Sequence, residues 1–441
     1  MTVRSIAVVG GGISGIAAAV ALTRHGHHVL LLESEDLLGG RTGPSHLGER
    51  PIMMGGKNIG RRYSHLRALL AELDDGTFED FGINTSTVAS SARSTARGTR
   101  LLPLDSSRPL TSLRSLLQMG TPRDLLRLAL LARAVRRHDD ARFLGSPTFR
   151  RLAARRDDPA LTDYFSPRMT SSLLRLATVR MNGAEPDEAY LGTLGTNLGL
   201  LTDTFEQLDH GLAPALDRVP ARLDVQLSSR VTELRPHATG MQVQWTTSSS
   251  SHTRDVHTRD ADGVILALPA HAAAPLLAPH RPELGRLLST VRYFPATVAV
   301  VKYADDVFTS EIRAVAMGDG PCSNAGAYGT TDRDLVRFTF SGRRGRLDSP
   351  TRADVDSLVA SAEANLSDTF GRPLPERLDW TWRHWSAAYC AYSRHHARLL
   401  DQIATESRSL DGRMSLAGDY LLGASLEACC RSGEAAAAAL L

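Results

Sequence analysis

The N-terminal segment contains the pattern that most restricts how this chain can fold. Ser5–Val9 is a short apolar run with β-branched residues, which is typical of a buried parallel strand. A glycine-rich turn of the form G-x-G-x-x-G follows it. The alanine-rich segment Ile16–Thr23 then predicts a helix, and the apolar segment Val29–Leu32 predicts a second strand. Strand, helix and strand in this order form a βαβ unit, so we expect a parallel sheet covered by helices.

The glycines and the acid of this unit have the spacing of a dinucleotide-binding turn. Gly10 permits the tight turn, Gly12 lets the backbone approach a pyrophosphate, and Gly15 lets helix and strand pack closely. The helix N-terminus stabilises phosphate charge, and Glu33 can accept hydrogen bonds from a ribose diol. We therefore predict a bound dinucleotide rather than a structural glycine turn. The predicted contacts of this unit are Gly10, Gly12, Ile13, Ser14, Gly15, Glu33 and Ser34.

Motifs beyond the βαβ unit indicate which dinucleotide binds. Residues 39–41 (GGR) follow the second strand, and the guanidinium of Arg41 can donate charge-assisted hydrogen bonds to phosphate, with a solvated surface arginine as the alternative. Residues 416–419 (LAGD) precede a segment that reads as a helix from Ser425. These motifs at both ends of the chain resemble those of the FAD-dependent amine oxidase and protoporphyrinogen oxidase superfamily, whose cofactor domain is of the glutathione reductase type. The resemblance implies FAD as the cofactor.

The resemblance also implies contacts with the flavin and the adenine. Asp419 would accept hydrogen bonds from cofactor hydroxyl groups, and the helix from Ser425 would point its N–H groups at the flavin N1–C2=O edge. Residues 211–234 resemble a helix–strand–turn in which the backbone of Val231 touches adenine. Residues 263–271 and 385–396 resemble the superfamily as well. The contacts implied in this way are Gly39, Gly40, Arg41, Gly55, Gly56, Val231, Gly418, Asp419, Ser425 and Leu426.

The length and composition of the chain predict more than one globular domain. Its 441 residues favour two or three domains, and 42% hydrophobic with 22% charged residues is typical of a globular protein. We expect an α/β protein with a Rossmann-like FAD-binding domain and an α+β substrate-binding domain that includes a helical subdomain. The FAD-binding domain is expected to be discontinuous, with residues 1–80, 208–285 and 405–441, and the substrate-binding domain to hold residues 81–207 and 286–404.

Charge and cysteine content limit the partners of the protein. The formal charge of +3 is too small to predict a nucleic-acid surface. The four cysteines include no C-x-x-C pair, so we expect neither a metal site nor a disulfide framework, and a reducing cytoplasm fits. The N-terminus lacks the features of a signal peptide or of a membrane span, which also favours a cytoplasmic location.

The middle of the chain is predicted to be helical between residues 110 and 205. The segment 124–137 is basic and amphipathic, which favours a helix packed on its own domain over contact with a membrane surface. A polar hairpin loop is expected over residues 248–260, and a strand over Thr297–Tyr303. The residues expected on the apolar face of the helix are Leu125, Leu128, Ala129, Ala132 and Val135.

Lysine is rare in this chain, and one lysine falls in the loop expected to pass the flavin. Of the 51 Lys and Arg residues, only Lys57 and Lys302 are lysines. Residues 53–60 (MMGGKNIG) resemble a family loop of the form D-x-G-G, with methionine at the position of the usual acid. An ammonium near the flavin would stabilise the reduced ring, and a desolvated lysine could act as a base; an exposed loop lysine is the alternative. We predict Lys57 and the adjacent Asn58 as catalytic residues.

Amine-oxidising members of the superfamily have features that this chain lacks. Their lysine, which contacts flavin N5 through water, falls on Val298 here, and the two aromatic residues that frame the amine fall near Ala391 and Ser425. These departures weaken a simple primary-amine oxidase interpretation. Trp385, Tyr389 and Tyr392 remain candidate aromatic walls, with a place in the core as the alternative, and Trp385 and Tyr392 are predicted as catalytic residues.

One cysteine and three histidines are minor candidates for chemistry. Cys390 stands twenty-eight residues before Gly418, a spacing similar to that of the flavin-linking cysteine of monoamine oxidases, but the surrounding S-G-G-C-Y pattern is absent. A covalent thioether is therefore a side hypothesis. The histidines could act as a base near neutral pH, although surface or packed histidines are favoured. They are His384, His395 and His396.

The sequence predicts an FAD-dependent oxidoreductase that resembles amine oxidases and protoporphyrinogen oxidases. It would remove a hydride from a C–H next to nitrogen, or from a C–H that becomes conjugated, in a small organic substrate, with O2 as electron acceptor. A role in secondary metabolism, with the imine trapped by cyclisation, is the specific hypothesis. The alternatives are a protoporphyrinogen-oxidase-like or polyene desaturase, a redox-neutral flavin-dependent isomerase or cyclase, and a non-enzymatic binding protein similar to GDP-dissociation inhibitors. A homodimer is left open.

Overall fold

The computed structural model describes residues 2–73, 76–80, 88–89, 101–102, 109–248, 254–318, 320–410 and 412–441. The strands in that part of the chain are β1 Ser5–Val9, β2 His28–Leu32, β3 Pro44–Leu47, β4 Arg50–Met53, β5 Ile59–Gly60, β6 Phe78–Asp80, β7 Val88–Ala89, β8 Leu101–Leu102, β9 Phe205–Leu208, β10 Asp224–Gln226, β11 Ser229–Pro236, β12 Met241–Ser248, β13 Arg254–Ala261, β14 Gly263–Leu266, β15 Arg292–Tyr303, β16 Ala314–Met317, β17 Cys322–Ala327, β18 Leu335–Phe340, β19 Arg377–Ala391 and β20 Met414–Leu416.

The helices are distributed along the same described ranges, with a π-helical turn at Thr170–Leu174. They are α1 Ile13–Arg24, α2 Ser64–Leu73, α3 Pro109–Met119, α4 Pro122–Arg137, α5 Pro147–Ala154, α6 Leu161–Tyr164, α7 Pro167–Met169, α8 Arg175–Asn182, α9 Leu194–Leu201, α10 Ala213–Asp217, α11 Ala270–Leu277, α12 Pro282–Ser289, α13 Arg352–Phe370, α14 His396–Ser407, α15 Asp419–Leu422 and α16 Leu426–Ala438.

The predicted α/β fold with a parallel sheet is confirmed. In the described chain this sheet has the order β10-β2-β1-β14-β20, and each neighbouring pair is parallel. Alternate side chains of β1 point to opposite faces, so Ile6 and Val8 join the core under α1 and α16, while Ala7 and Val9 join the core under α11 and α12. Both faces are buried, which explains why β1 is apolar from Ile6 to Val9.

The two terminal regions of the chain meet where α1 packs against α16. Small residues permit this close approach. A Cβ atom at Gly433 would lie 2.0 Å from the carbonyl oxygen of Ser14 in α1. The alanine-rich C-terminal segment is therefore a buried structural helix, with Ala436 and Ala437 in the core shared with α1. This packing brings the β1–α1 turn close to the start of α16.

A second sheet, with the order β19-β15-β18-β17-β16-β7-β8 in the described residues, faces the parallel sheet across a cavity. It is antiparallel except for the β16–β7 pair. Strand β18 shows how its two faces differ, because Val336 and Phe338 pack in the core shared with α13. Arg337 and Thr339 point to the opposite face and line the cavity.

Helices α3 to α9 form the helical part that was predicted between residues 110 and 205. The prediction for the buried face of α4 was partly wrong. Ala129 is exposed, and Leu131 and Val135 are buried. The face of α4 that carries Leu131 and Val135 is the one that packs on α9. Leu126 and Leu130 on the outer side are 62% and 59% exposed. Within the described ranges, no helix is long and apolar enough to cross a membrane.

Two further expectations can be compared with the strands. The polar loop expected over residues 248–260 was wrong from Arg254 onward, because β13 pairs with β12 over eight residues; residues 249–253 lie outside the described part. The strand expected over Thr297–Tyr303 is longer and begins at Arg292. The strands of the parallel sheet all come from the three segments proposed for the FAD-binding domain, and its boundaries stay a prediction.

Candidate active site

A cavity of about 1320 Å³ lies between the parallel sheet and the second sheet. One end is formed by the carboxyl ends of β1 and β2 and the loops after β14 and β20, and the other by the second sheet with α8 and α9. The structure thus brings together predicted residues from both ends of the chain. Those that line the cavity are Gly10, Gly12, Ile13, Ser14, Glu33, Ser34, Gly39, Gly40, Arg41, Gly55, Gly56, Lys57, Asn58, Val231, Trp385, Tyr392, Gly418, Asp419, Ser425 and Leu426.

The β1–α1 turn leaves room for a ligand at one glycine and none at another. Gly12 is the N-cap of α1, no side chain caps the helix, and a Cβ at Gly12 would meet no atom within 4 Å. The first N–H groups of α1 are therefore open to an anion. Gly15 does not line the cavity, and its Cβ would lie 1.8 Å from the carbonyl oxygen of Gly10. Gly15 thus serves the packing of helix on strand.

The carboxylate of Glu33 is held in place at the end of β2. Its Oε2 accepts a hydrogen bond of 2.7 Å from the Gly11 N–H. Its Oε1 accepts bonds from the Glu35 N–H at 2.9 Å and the Ser34 hydroxyl at 3.1 Å. Glu33 is buried and still lines the cavity. A fixed carboxylate at this edge of a parallel sheet is suited to accept hydrogen bonds from a ribose diol.

The carboxylate of Asp419 joins three distant parts of the chain. Arg41 Nη1 donates to Asp419 Oδ2 at 2.7 Å and to the Ala388 carbonyl at 3.0 Å. The hydroxyl of Tyr293, on β15, donates to Asp419 Oδ1 at 3.0 Å. Asp419 is buried, whereas 32% of the Arg41 side chain is exposed toward the cavity. The guanidinium is therefore anchored by an acid and remains available to a phosphate.

These residues fit a flavin dinucleotide. The uncapped start of α1 and the space at Gly12 suit a pyrophosphate, and Glu33 suits a ribose. The buried Oδ1 of Asn58 has no hydrogen-bond partner among the described residues, so it leaves an acceptor free for a bound group. When bound, FAD would supply the hydride acceptor for the reaction.

Lys57 is buried rather than exposed on its loop, which excludes the alternative of a solvated lysine. Only 6% of the residue is exposed, Nζ donates to Gln207 Oε1 at 2.9 Å, and Nζ lies 4.2 Å from the centre of the Tyr328 ring. Burial lowers the pKa of Lys57 well below its ordinary value, and the positive charge of Arg337 lowers it further. A catalytic role of Lys57 and Asn58 stays a prediction.

The other candidates divide between the cavity and the core. Trp385, Tyr392 and His384 line the cavity; the Tyr392 hydroxyl is buried without a described partner, and burial raises its pKa well above the ordinary value. His384 Nδ1 lies 2.9 Å from the Thr297 hydroxyl, and burial lowers its pKa. The remaining candidates do not line the cavity, and burial raises the pKa of the Cys390 thiol. They are Cys390, His395 and His396.

Sequence reasoning missed a group of arginines at the second-sheet end of the cavity. The signal was weak, because 49 of the 51 Lys and Arg residues are arginines and each one is individually uninformative. One signal was available: residues 335–340 (LVRFTF) place a single cation in an apolar strand. The group consists of Arg180, Arg313, Arg337 and Arg383.

Comparisons with known proteins agree with this geometry. The family described as flavin containing amine oxidoreductase matches residues 13–441. Coproporphyrinogen III oxidase of Mycobacterium tuberculosis is 27% identical over 478 aligned positions, which cover 97% of this chain and 95% of the relative. Among solved structures, cyclohexylamine oxidase from Brevibacterium oxydans has a TM-score of 0.73 at 18% identity, covering 100% of this chain and 99% of its own. A fatty acid isomerase from P. acnes has a TM-score of 0.68 at 12% identity, covering 98% of this chain and 97% of its own.

The match to the family spans nearly the whole chain, and the two structural similarities, at low identity, show the shared fold. Dinucleotide-binding features, an anchored arginine and a second sheet over one cavity are all present in this chain. The chain belongs to the flavin-containing amine oxidoreductase family and is an FAD-dependent oxidoreductase.

Proposed function

We propose that this enzyme dehydrogenates a small organic substrate at a C–H next to nitrogen, or at a C–H that becomes conjugated, with O2 as the electron acceptor. The observation that carries the proposal is that one cavity holds both the dinucleotide-binding residues and the second-sheet residues Val298, Thr339 and Trp385. A substrate against that sheet would face the cofactor without a water-filled gap between separate sites. The family membership removes the non-enzymatic binding protein as an alternative.

The cavity does not resemble a site for a simple primary amine. The position of the N5 lysine is Val298, which is buried and lines the cavity. The two positions of the expected aromatic frame are Ala391, which lies in the core, and Ser425, whose hydroxyl caps α16 by accepting from the Ala428 N–H at 3.1 Å. A substrate other than a small alkylamine is therefore favoured, such as a cyclic amine precursor or a porphyrinogen.

A second candidate function is coproporphyrinogen oxidation, favoured by the similarity over 97% of this chain to a coproporphyrinogen III oxidase. A redox-neutral isomerisation is a third, because the same fold occurs in a fatty acid isomerase.

The test is to mix the anaerobic holoenzyme with coproporphyrinogen III and with a panel of cyclic amines, and to follow flavin bleaching. Bleaching, the loss of two substrate hydrogens for each flavin reduced, and peroxide on admitting air are the expected results. A product of unchanged mass would replace oxidation by isomerisation, and no bleaching with any compound would contradict the proposal.

A further inference from the structure

Four arginines at the second-sheet end of the cavity have no carboxylate partner among the described residues. Arg180 and Arg313 have no side-chain hydrogen bond or ion pair there. Arg337 donates to the carbonyls of Gly55 at 2.7 Å and Met54 at 2.8 Å. Arg383 donates to the Gly43 carbonyl at 3.5 Å and lies over the Trp385 ring. The positive charge of these side chains is therefore not neutralised by any carboxylate of the described residues.

Two arginines near this end of the cavity, by contrast, are paired with acids. Arg175 starts the same helix as Arg180, α8, and its Nε donates to Glu185 Oε2 at 2.8 Å. Arg346 follows the strand of Arg337 and pairs with Glu188 at 2.5 Å. Each of these two arginines has an acid beside it, whereas Arg180 faces the cavity without one among the described residues.

Local structure points Arg180 into the cavity. Ala177 and Arg180 are three residues apart on one face of α8, and both line the cavity. Gly183 ends α8 with a φ of +64°, and the ring of Tyr389 packs so closely that a Cβ at Gly183 would lie 2.7 Å from it. Burial and, next, the charge of Arg337 together lower the pKa of Arg180 to about 10, so the guanidinium stays charged near neutral pH.

The acids that line the cavity in the described ranges all lie at its dinucleotide end. They are Glu33, Glu35 and Asp419. Glu33 is held by backbone N–H groups and Asp419 by Arg41 and Tyr293, so neither neutralises the arginines at the opposite end. A cationic amine would meet like charge at the second-sheet end, whereas an anion would receive charge-assisted hydrogen bonds.

We propose that Arg180, with Arg337 and Arg313 beside the same cavity, binds a carboxylate of the substrate, so that the enzyme acts on anionic rather than cationic compounds. This inference rests on the proposed function, because the bound carboxylate compound is a substrate only if the enzyme oxidises it. Binding of a carboxylate by the arginines of the cavity can be measured without turnover. Arg180 is a substrate-binding residue in this arrangement, and the guanidinium provides a planar, bidentate match to a carboxylate.

The experiment uses purified holoenzyme and three probes that share one ring: benzoate, benzamide and benzylamine. Binding is followed by perturbation of the flavin absorption spectrum and, independently of the flavin, by equilibrium dialysis. We expect saturable benzoate binding that is at least tenfold tighter than that of benzamide, with benzylamine weaker still. Arg180→Met should weaken benzoate binding at least tenfold and leave benzamide binding and FAD content unchanged.

Two further variants separate a specific contact from general charge. Arg180→Lys should restore part of the benzoate affinity, because it keeps the charge and loses the bidentate geometry. Arg133→Gln removes one exposed charge from α4, outside the cavity, and should change nothing. Equal benzoate affinity in wild type and Arg180→Met, tighter binding of benzylamine, or no saturable response to benzoate would each overturn the proposal. Benzoate binding through Arg180 together with no flavin bleaching by any substrate would instead contradict the proposed oxidation and leave this site standing.

Discussion

At the scale of single residues, Lys57 is the side chain whose role is most open to a direct test. We predict that Lys57→Met retains FAD but lowers the midpoint potential of the flavin by tens of mV. A lysine that keeps or takes up a proton when the flavin is reduced favours negative charge on the reduced ring, and ~30 mV corresponds to about 1.4 kcal/mol for a two-electron couple. A reductive titration against a reference dye measures the potential. Substrate-driven flavin reduction should also slow.

Lys302→Met is the matched control, since Lys302 is the only other lysine and pairs with Asp334 at the surface end of β15. It should leave the midpoint potential unchanged. If Lys57→Met has the potential and reduction rate of wild type, Lys57 acts through its contacts within the protein, such as the hydrogen bond to Gln207, and not on the flavin.

His396 gives a prediction about pH and stability. The residue is buried, its Nε2 donates to the Tyr420 carbonyl at 3.3 Å, and its Nδ1 has no partner among the described residues. Burial lowers its pKa from 6.5 to about 4, so the unfolded chain binds a proton in this interval while the folded chain does not. Stability from this group is therefore present above pH 6.5 and is lost as pH falls toward 4, by up to about 3 kcal/mol.

The measurement is urea unfolding at stepped pH for wild type and His396→Gln. The difference in unfolding free energy between the two proteins should narrow on acidification, because the variant has no group that must stay neutral. His46 lies at an exposed strand position, so the unfolding free energy of His46→Gln should change with pH in the same way as that of wild type. A difference that stays constant with pH would show that His396 is protonated in the folded state.

At the scale of elements, two glycines of the β1–α1 turn separate binding from folding. A Cβ at Gly12 meets no protein atom, so Gly12→Ala should fold normally but occupy the space open to the pyrophosphate. A Cβ at Gly15 would lie 1.8 Å from the Gly10 carbonyl, so Gly15→Ala should force α1 away from β1. We expect the apoprotein Tm of Gly12→Ala to match wild type while flavin absorbance of the purified protein is lost, and we expect both to fall for Gly15→Ala.

Gly26→Ala serves as the comparison for general glycine effects, because no atom lies near its Cβ but its φ is +79°. It should cost about 1 kcal/mol of stability and leave FAD bound. Full FAD content in Gly12→Ala would mean that the cofactor does not approach this turn.

Elements with a strong local pattern could be predicted, and elements defined by their partners could not. β1 begins and ends at the predicted residues, because a short apolar run between a polar segment and a glycine can form few structures other than a strand. In α4, Ala129 and Leu131 differ by two positions, and only the position of α9 determines that Leu131 faces inward. The polar segment from Arg254 becomes a strand because β12 pairs with it, since its own residues carry no apolar alternation.

At the scale of the whole molecule, the dinucleotide end of the cavity was predictable and the second-sheet end was not. The glycine spacing and the acid after β2 lie within one short segment of the chain that is suited to one ligand, so both can be recognised in the sequence. Arg180 has no partner among the described residues because α8, β18 and β19 meet around one cavity while Glu185 is directed at Arg175. No local pattern separates a paired arginine from an unpaired one, so this feature requires the assembled molecule.

Asp419 connects the three chain segments that meet at the dinucleotide end of the cavity. Its replacement tests how far the stability of the fold depends on that connection. It accepts hydrogen bonds from Arg41 in the N-terminal segment and from Tyr293 on the second sheet. Asp419→Asn removes the charge that holds the Arg41 guanidinium, and the amide must direct its NH2 group at one of the two donors. Because hydrogen bonds to charged groups contribute about 1.5–3 kcal/mol, we expect a loss of about 2 kcal/mol in the unfolding free energy of the apoprotein.

The same substitution should weaken FAD binding at least tenfold, measured by quenching of flavin fluorescence, because Arg41 loses its fixed orientation toward the cavity. Asp187→Asn is the matched control: its partner Arg343 is 57% exposed, and such surface pairs contribute about 0–1 kcal/mol. If Asp419→Asn lowers stability without changing FAD affinity, Asp419 joins the segments but does not position the cofactor-binding arginine. If neither quantity changes, the ion pair between Arg41 and Asp419 is dispensable to both folding and cofactor binding, and Arg41 must be oriented by the Ala388 carbonyl alone.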